Sequence, residues 1–390
     1  MSGKLETSNL KVVLMKHADI AVIGAGIAGL ATAYQFARQG KKVVIFERNS
    51  RALGASIRNF GLIWPIGQQA GENYTRAMAS RRIWKELAAA TGLECNETGS
   101  LHLVYEKDEL AVLEEFVQAA PHKGYSCELL TPQQVGARSK AVKTGGLLGA
   151  MYSPTEMTVN PREASARIAA WLEDELQVTL RFNTAVNGIS MPFIETKEES
   201  WKVDKVFLCS GADFETLYPQ EFEKSGIIKC KLQMMRTVPQ PDNWQLGPAL
   251  CAGLTLLHYA AFNTCTSLPA LRQRIATEMP QYLQWGVHVL VSQNGAGELT
   301  IGDSHEYGPD FAPFDKEFIN DLILQYMHTF LQAPAVSIQE RWHGIYPKLT
   351  NGQTNLVLQP EKDVTIINGL GGAGMTLSFG LAEEIVKKLV

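Results

Sequence analysis

A glycine-rich turn near the amino terminus has the residue types and the spacing that bind a pyrophosphate. The segment GAGIAG follows a predicted strand and opens a predicted helix. Gly24 permits the tight turn, Gly26 lets the backbone approach the phosphates, and Gly29 allows close contact between helix and strand. The positive end of the helix dipole would face the pyrophosphate. The predicted contact residues are Gly24, Ala25, Gly26, Ile27, Ala28 and Gly29.

The next predicted strand ends in an acid that completes a dinucleotide-binding pattern. Glu47 follows Gly26 by about 20 residues, the separation at which such an acid accepts hydrogen bonds from a ribose. Arg48 directly follows it and is a further candidate contact. A carboxylate at this position disfavours a 2′-phosphate, so the pattern predicts NAD or FAD and not NADP.

A second glycine-rich turn, close to the carboxyl terminus, favours FAD. NGLGGAGMTLSFG (368–380) again places glycines just before a predicted helix. One pyrophosphate needs a single such helix, whereas the pyrimidine edge of a reduced flavin gains negative charge that a second helix dipole stabilises. A closely packed turn without a ligand is the alternative interpretation. The predicted flavin contacts are Gly371, Gly372, Ala373, Gly374, Met375 and Thr376.

A permanent positive charge stands in the apolar segment ASIRNFGLIWPIGQ (55–68). Pro65 and Gly67 disfavour a regular helix there. Because the segment closely follows Glu47, we expect it to leave the nucleotide and pass beside the flavin. Arg58 would then meet an anionic substrate or the reduced flavin, and a structural ion pair or a cofactor phosphate are the alternatives. The predicted flavin neighbours are Ala55, Ser56, Asn59, Phe60 and Gly61.

The predicted elements form two kinds of sheet. A strand (19–23), a helix (27–39) and a strand (42–47) make a βαβ unit, which implies a parallel sheet. In the middle third, VHVLVSQNGAGELTIGD predicts a hairpin, which is typical of an antiparallel sheet. Further predictions are amphipathic helices at 73–91 and 107–120, a half-buried strand at 100–105, and a helix at 160–176 with Asn160 as its N-cap.

These patterns predict an α/β fold with two domains. A Rossmann-like FAD-binding domain with a parallel sheet is built from discontinuous segments, and an α+β substrate domain around an antiparallel sheet is inserted between them. The predicted bounds are 17–93, 150–228 and 340–390 for the FAD-binding domain, 94–149 and 229–339 for the substrate (cap) domain, and 1–16 for a leader or tag.

Composition excludes several function classes. A formal net charge of −4 without a basic cluster predicts no nucleic-acid partner. Residues 20–37 lack charge, but three glycines interrupt them, so we expect a buried strand and helix and no membrane span. Six scattered cysteines, without C-x-x-C or histidines at zinc spacing, predict a reduced cytoplasmic protein without a metal site. Homo-oligomer formation is left open.

The motifs together resemble the D-amino-acid oxidase superfamily of flavoproteins, on its glycine oxidase and sarcosine oxidase side. The matching segments are GAGIAGLATAYQFARQGKKVVIFER, VDKVFLCSGAD, IGDSHEYG, RWHGIYPKLTNG and GLGGAGMTLSFGLAEE. The resemblance implies FAD, oxidation of a C–N bond and hydrolysis of the resulting imine. It implies that Val186 meets the adenine, that Ser210 and Gly211 lie along the dinucleotide, and that Gly344 is near the flavin. No cysteine follows Cys265, so noncovalent FAD is expected.

The resemblance also shows where this chain departs from its relatives. Tyr346 stands where glycine oxidase-like members have a carboxylate-binding arginine, and Thr376 stands nearest to the lysine of sarcosine oxidase-like members. A small amine substrate, expected to be anionic, would need other anchors. The candidates for contact with the substrate are Arg58, His258, Tyr259, Arg341, His343, Tyr346 and Lys348. His305 is interpreted as a turn residue.

Three functions follow from these features. The leading one is an FAD-dependent amine or amino-acid oxidase or dehydrogenase, with the electron acceptor left open. SIRNFGLIWPIGQ and WHGIYPK also resemble flavoproteins associated with breakdown of aminophosphonates, N-methylated ones among them, and a phosphonate suits several cations. The alternatives are an NAD-dependent dehydrogenase and a non-catalytic flavin-binding redox protein.

Overall fold

The protein is built on two large sheets and one small one. Its structure, a computed structural model, describes residues 15–389. The strands are β1 (Lys16–Ile23), β2 (Val43–Phe46), β3 (Leu62–Ile63), β4 (Cys95–Asn96), β5 (Ser100–Val104), β6 (Glu128–Leu130), β7 (Gly149–Ser153), β8 (Met157–Val159), β9 (Thr179–Arg181), β10 (Val186–Ser190), β11 (Phe193–Thr196), β12 (Ser200–Leu208), β13 (Ile227–Thr237), β14 (Ala249–Ala252), β15 (Leu290–Gln293), β16 (Leu299–Gly302), β17 (Glu306–Gly308), β18 (Ile338–Leu349), β19 (Leu356–Glu361) and β20 (Val364–Asn368).

Helices cover the sheets and connect them. The α-helices are α1 (Ile27–Ala37), α2 (Glu72–Thr91), α3 (Lys107–Ala119), α4 (Pro132–Arg138), α5 (Pro161–Leu176), α6 (Pro219–Ser225), α7 (Leu268–Glu278), α8 (Pro280–Gln284), α9 (Glu317–Phe330) and α10 (Gly374–Leu389). Short 3-10 helices span Ala55–Ile57, Pro65–Gly67, Ala120–Lys123, Gly253–Leu257, Ala260–Thr264 and Gly371–Ala373.

The first sheet has a parallel centre, as the βαβ pattern predicts. β9, β2, β1, β12 and β20 lie side by side in parallel, while β10, β11 and β19 add antiparallel edges. All four residues of β2 are buried, which is typical of a strand covered on both faces. Helices α1, α2, α5 and α10 pack together over one face, where Trp84 and Phe379 belong to the core.

The second sheet is antiparallel except for one pair, β5 with β14. The predicted hairpin is present, since β15 pairs with β16 from Gln293 and Leu299 onward. The prediction of a half-buried strand at 100–105 is wrong: every residue of β5, including Ser100 and His102, is buried. β5 lies between β14 and β7 inside the sheet, and α3 and the 3-10 helix Gly253–Leu257 pack against it.

The other predicted helices fall close to their expected bounds. Asn160 caps α5 as predicted, with its side chain accepting a hydrogen bond from the N–H of Arg162. The predicted leader lies outside the described residues except for its last two, and Lys16 already belongs to β1. None of the described helices is both long and apolar enough to cross a bilayer. The domain bounds stay a prediction.

Candidate functional site

Two cavities meet at the amino-terminal end of α1. The side cavity lies beside the ends of β1, β2 and β12, and the main cavity lies between the first sheet and the second. Of the predicted residues, the side cavity is lined by Gly24, Gly26, Glu47, Arg48, Ala55, Ser56, Val186, Ser210 and Gly211. The main cavity is lined by Gly26, Ile27, Ala28, Ala55, Ser56, Arg58, Asn59, Phe60, Gly211, His258, Tyr259, Gly344, Tyr346, Lys348, Gly371, Gly372, Ala373, Gly374, Met375 and Thr376.

The first glycine turn is too tight for side chains. Gly24 has φ +103°, and a Cβ built on it would lie 2.3 Å from the carbonyl oxygen of Cys209. A Cβ on Gly29 would lie 1.9 Å from the carbonyl oxygen of Gly24. Gly29 therefore holds α1 against the turn, as its predicted packing role requires, and does not line either cavity. Ala25 is buried within the turn.

Glu47 is tied to the glycine turn. The backbone N–H of Ala25 donates to Glu47 Oε2 at 3.1 Å, and Asn49 donates to Glu47 Oε1 from both its backbone and its side chain. These bonds hold the carboxylate at the edge of the side cavity, where the pattern places a ribose. Arg48 forms an ion pair with Asp213 at the same cavity.

The segment 55–68 contributes to both cavities, since Ala55 and Ser56 line the two of them and its later residues line the main one. The hydroxyl of Ser56 accepts a hydrogen bond from the N–H of Ile27 at 2.9 Å, so the segment caps α1. Asn59 braces the turn by donating to the carbonyls of Ala55 and Ser56. Gly61 instead contacts β8, where its Cβ would lie 1.9 Å from the carbonyl oxygen of Val159, and it lines neither cavity.

Arg58 faces the main cavity without an acidic partner. Its Nη1 donates to the carbonyl of His343 at 3.3 Å. Within residues 15–389, no carboxylate oxygen lies within 4.0 Å of its guanidinium. The structural ion pair considered from the sequence is therefore not formed in the described chain.

Tyr346 and Thr376, at the two positions where the relatives have cationic anchors, are both neutral. Tyr346 is 4% exposed, and burial raises the pKa of its phenol well above 10, so the side chain is neutral. The Thr376 hydroxyl accepts a hydrogen bond from the N–H of Trp64 at 2.9 Å. Neither residue supplies a positive charge. Lys348 does: it lines the main cavity, and its Nζ donates to the hydroxyl of Tyr307 at 3.0 Å.

Arg341 and His343 are not part of the site. Arg341 pairs with Glu317 at 2.9 Å, and His343 Nδ1 lies 3.0 Å from the carboxylate of Asp315. Neither residue lines a cavity, so their prediction as substrate contacts is not supported by their position. They lie on the face of β18 opposite to Gly344, Tyr346 and Lys348, because side chains alternate along a strand.

A cluster of histidines forms one wall of the main cavity. His258, beside Tyr259, is open to the cavity, and His288 and His305 are buried behind it. The rings of His258 and His288 stack with centroids 3.7 Å apart. Burial lowers the pKa of His305 to about 4 and that of His288 well below 6.5. His305 does stand between two strands, as a turn residue would, but its side chain belongs to this wall.

Sequence reasoning missed three further residues of this wall. His288 and Asp303 are buried and line the cavity, and burial raises the pKa of Asp303 well above 3.8. Trp64 is 3% exposed, and its indole N–H has no partner among the described residues. All three stood in segments that were singled out by their patterns, but no local signal marked them as residues of the site.

The described residues fit FAD. Gly26 lines both cavities at the amino-terminal end of α1, while Glu47 stands beside the turn where a ribose is expected. The second glycine turn opens α10 on the main cavity, and Trp84 fixes its position by donating to the carbonyl of Met375 at 2.7 Å. The two helix N-termini thus face one continuous space, which a nicotinamide dinucleotide would not require.

Comparison with known proteins agrees with this geometry. The family model described as "FAD dependent oxidoreductase" (DAO) matches residues 19–388. One component of the anaerobic glycerol-3-phosphate dehydrogenase of Escherichia coli (strain K12) is 31% identical over 155 residues, covering 39% of this chain and 28% of that protein. Monomeric sarcosine oxidase of Bacillus sp. is 23% identical over 202 residues, covering 50% and 52%. The chain thus aligns with about half or less of these relatives.

A solved structure extends the likeness in fold to almost the whole chain. The crystal structure of glycine oxidase from Geobacillus kaustophilus superposes with a TM-score of 0.75 at 20% identity, covering 96% of this chain and 95% of that one. Because the family model spans nearly all described residues, the protein belongs to the DAO family of FAD-dependent oxidoreductases.

Proposed function

We propose that the protein oxidises the C–N bond of a small primary or secondary amine that also carries an anionic group. The observation that carries this proposal is the pair of cations in the main cavity. Arg58 and Lys348 both line it, and neither has a carboxylate within 4.0 Å in residues 15–389. A cation left unpaired in a cavity wall is suited to an anionic ligand.

Bound FAD supplies the acceptor for a hydride from the carbon next to the nitrogen. The nitrogen lone pair then forms the C=N bond, and water hydrolyses this imine to a carbonyl compound and ammonia or an amine. The protein's own task is to position the substrate and to exclude water. Apolar residues on the segment 55–68, including Phe60, Leu62 and Trp64, line the cavity for this purpose.

The cations would hold the end of the substrate away from the reacting carbon. The phenol of Tyr346 adds a neutral hydrogen-bond donor to the same cavity. This donor set suits a phosphonate, which has three oxygens, at least as well as a carboxylate, which has two. The aminophosphonates suggested by the sequence resemblance are therefore included among the substrates to be tested.

The test is anaerobic reduction of the bound flavin, followed by its loss of visible absorbance. The panel contains glycine, sarcosine, D-alanine, 2-aminoethylphosphonate and N-methyl-2-aminoethylphosphonate, with ethylamine as a control that lacks the anionic group. We expect at least one anionic amine to bleach the flavin at concentrations at which ethylamine does not.

Two results would contradict the proposal in different ways. Equal bleaching by ethylamine would remove the anionic requirement. A flavin that dithionite reduces but no amine reduces would favour the non-catalytic redox protein. A colourless protein that binds NAD would instead restore the dehydrogenase alternative.

A further inference from the structure

His258 presents an imidazole without a hydrogen-bond partner to the main cavity. It follows the 3-10 helix Gly253–Leu257, and its ring is open to the cavity. Within residues 15–389, the ring nitrogens of His305 and His343 form hydrogen bonds, whereas those of His258 form none. A molecule in the cavity can therefore bind to this ring.

The neighbours of His258 fix the plane of its ring. The His258 and His288 rings stack with centroids 3.7 Å apart at an interplanar angle of 26°. Tyr259 lies nearly perpendicular to His258 with centroids 5.1 Å apart, and the His305 ring lies at 4.7 Å. Because the contacts to His288 are made by the ring face, the in-plane nitrogens of His258 stay available to a ligand.

The surroundings of His258 favour its neutral form. Burial of the cluster, the neighbouring rings of His288 and His305, and the charge of Lys348 all lower the pKa of His258 well below 6.5. Lys348 stands on β18 and lines the same cavity, where its Nζ donates to the hydroxyl of Tyr307 at 3.0 Å. A protonated His258 would thus be opposed by a nearby cation.

The other titratable groups of this wall supply no negative charge to His258. Burial raises the pKa of Tyr259 and of Tyr346 well above 10. Burial also raises the pKa of Asp303 well above 3.8, and its Oδ1 lies 3.2 Å from Nε2 of His288. In the described part of the chain, no carboxylate oxygen lies within 4.0 Å of a His258 nitrogen. An anion that stabilises protonated His258 must therefore come from the ligand.

An oxyanion in the cavity reverses the preference of the ring. Its oxygens only accept hydrogen bonds, whereas a neutral imidazole has one donor and one acceptor and an imidazolium has two donors. A negative charge within about 4–6 Å also favours the protonated form. The attraction scales with the charge of the anion, so a dianion beside Lys348 and His258 favours protonation more than a carboxylate does.

We propose that His258 takes up a proton from solvent when a dianionic oxyanion group of the substrate, such as a phosphonate, binds beside Lys348, and that it thereby favours dianions over carboxylates. The proton binds to the ring nitrogen that meets the anion. The inference rests on the proposed function for the amine that carries this group. Binding of a dianion and the uptake of a proton do not require amine oxidation.

The test measures the binding of sulfate to the FAD-loaded protein by titration calorimetry. Sulfate is a dianion that does not titrate near neutral pH, so any proton taken up binds to the protein. Each titration is repeated at the same pH in bis-tris and in Tris, two cationic buffers that differ in ionisation enthalpy. We expect uptake of about one proton per bound sulfate, and an affinity that falls by up to ~10-fold per pH unit as the pH rises. Acetate, a monoanion, should bind more weakly and with a smaller uptake.

Variants assign the proton to one side chain. His258→Ala should bind sulfate roughly 10- to 150-fold more weakly, the contribution of a hydrogen bond to a charged group, and without proton uptake. His258→Asn keeps a neutral donor, so it should regain part of the affinity and none of the uptake. Asp303→Asn removes the other buried acid of the wall and should retain the uptake. The matched control is His122→Ala, at an exposed histidine, which should behave as the wild type does.

The remaining outcomes overturn the inference. Sulfate binding without proton uptake would do so, as would an uptake that His258→Ala retains or that Asp303→Asn abolishes. Failure to bind sulfate, or binding no tighter than that of acetate, would reject the preference for dianions. Because no amine is used, the two proposals fail separately. A protein that takes up a proton with sulfate but is bleached by no amine would reject only the proposed function, and the reverse result would reject only the role of His258.

Discussion

Removing Arg58 should weaken substrate binding while leaving the fold nearly unchanged. Among the described residues, its guanidinium donates one hydrogen bond, from Nη1 to the carbonyl of His343 at 3.3 Å. Because no carboxylate pairs with Arg58 in the described chain, Arg58→Ala leaves no buried anion behind. The expected cost to stability is that of one ordinary hydrogen bond, about 0.5–1.5 kcal/mol.

The effect on the substrate should be larger. A hydrogen bond to a charged group contributes about 1.5–3 kcal/mol, which corresponds to roughly a 10- to 150-fold loss of affinity for an anionic amine. Arg58→Lys keeps the charge but not the planar fork, so it should retain part of this affinity. Binding is measured from the concentration dependence of anaerobic flavin reduction.

Arg236→Ala provides the structural contrast. Arg236 pairs with Glu298 at 2.9 Å, and the two side chains are 8% and 13% exposed. Its removal strands a nearly buried carboxylate, for which about 3 kcal/mol is expected, since Asn294 still donates to Glu298. The thermal midpoint should therefore fall clearly more in Arg236→Ala than in Arg58→Ala.

The reasoning about Arg58 can fail in two ways. If Arg58→Ala binds anionic amines as tightly as the wild type, Arg58 is not an anchor. If the variant keeps its fold but loses FAD, Arg58 serves the cofactor and not the substrate. Arg167→Ala, an exposed cation on α5, controls for the loss of positive charge.

Three further outcomes are expected. Gly29→Ala should lower the flavin content and should reduce the free energy of unfolding by about 1–3 kcal/mol, because the new Cβ meets backbone at 1.9 Å. Gly145→Ala, where nothing lies within 4 Å of the Cβ, should change neither quantity. Acid precipitation should release FAD into the supernatant. Cys209 lines both cavities, but burial raises the pKa of its thiol to about 12, so it is a poor nucleophile toward the flavin. Flavin retained in the pellet would show a covalent bond. Hydrogen bonds from residues at the start of α7 lower the pKa of Glu115 from 4.5 to about 2. Its stabilising contribution is therefore complete above pH ~4.5 and is lost as the pH falls toward ~2. In denaturant titrations, the difference in free energy of unfolding between wild type and Glu115→Gln should shrink over that range. A difference that does not depend on pH would contradict this prediction.

Features that depend on neighbouring residues could be predicted from the sequence. The turn at Gly24, the N-cap at Asn160 and the hairpin between Gln293 and Leu299 each follow from a few adjacent residues, and each is present. The burial of β5 could not be predicted in this way. Its alternating pattern is that of a half-exposed strand, but its position inside a nine-stranded sheet is set by distant partners.

The substrate candidates on β18 show a second limit. The sequence marks Arg341, His343, Tyr346 and Lys348 equally, because all four are polar residues near one motif. The alternation of side chains along β18 separates them. Tyr346 and Lys348 line the main cavity, whereas Arg341 and His343 lie on the other face and pair with acids there. A single strand does not reveal which face is the inner one.

The histidine wall required the complete fold. His258, His288 and His305 come from three segments, and none of them stands at the spacing of a known metal motif. The antiparallel pairing of β14, β15 and β16 brings the ends of these segments together. The sequence therefore shows that the family's cationic anchors are missing, while only the structure shows that three histidines line the same cavity.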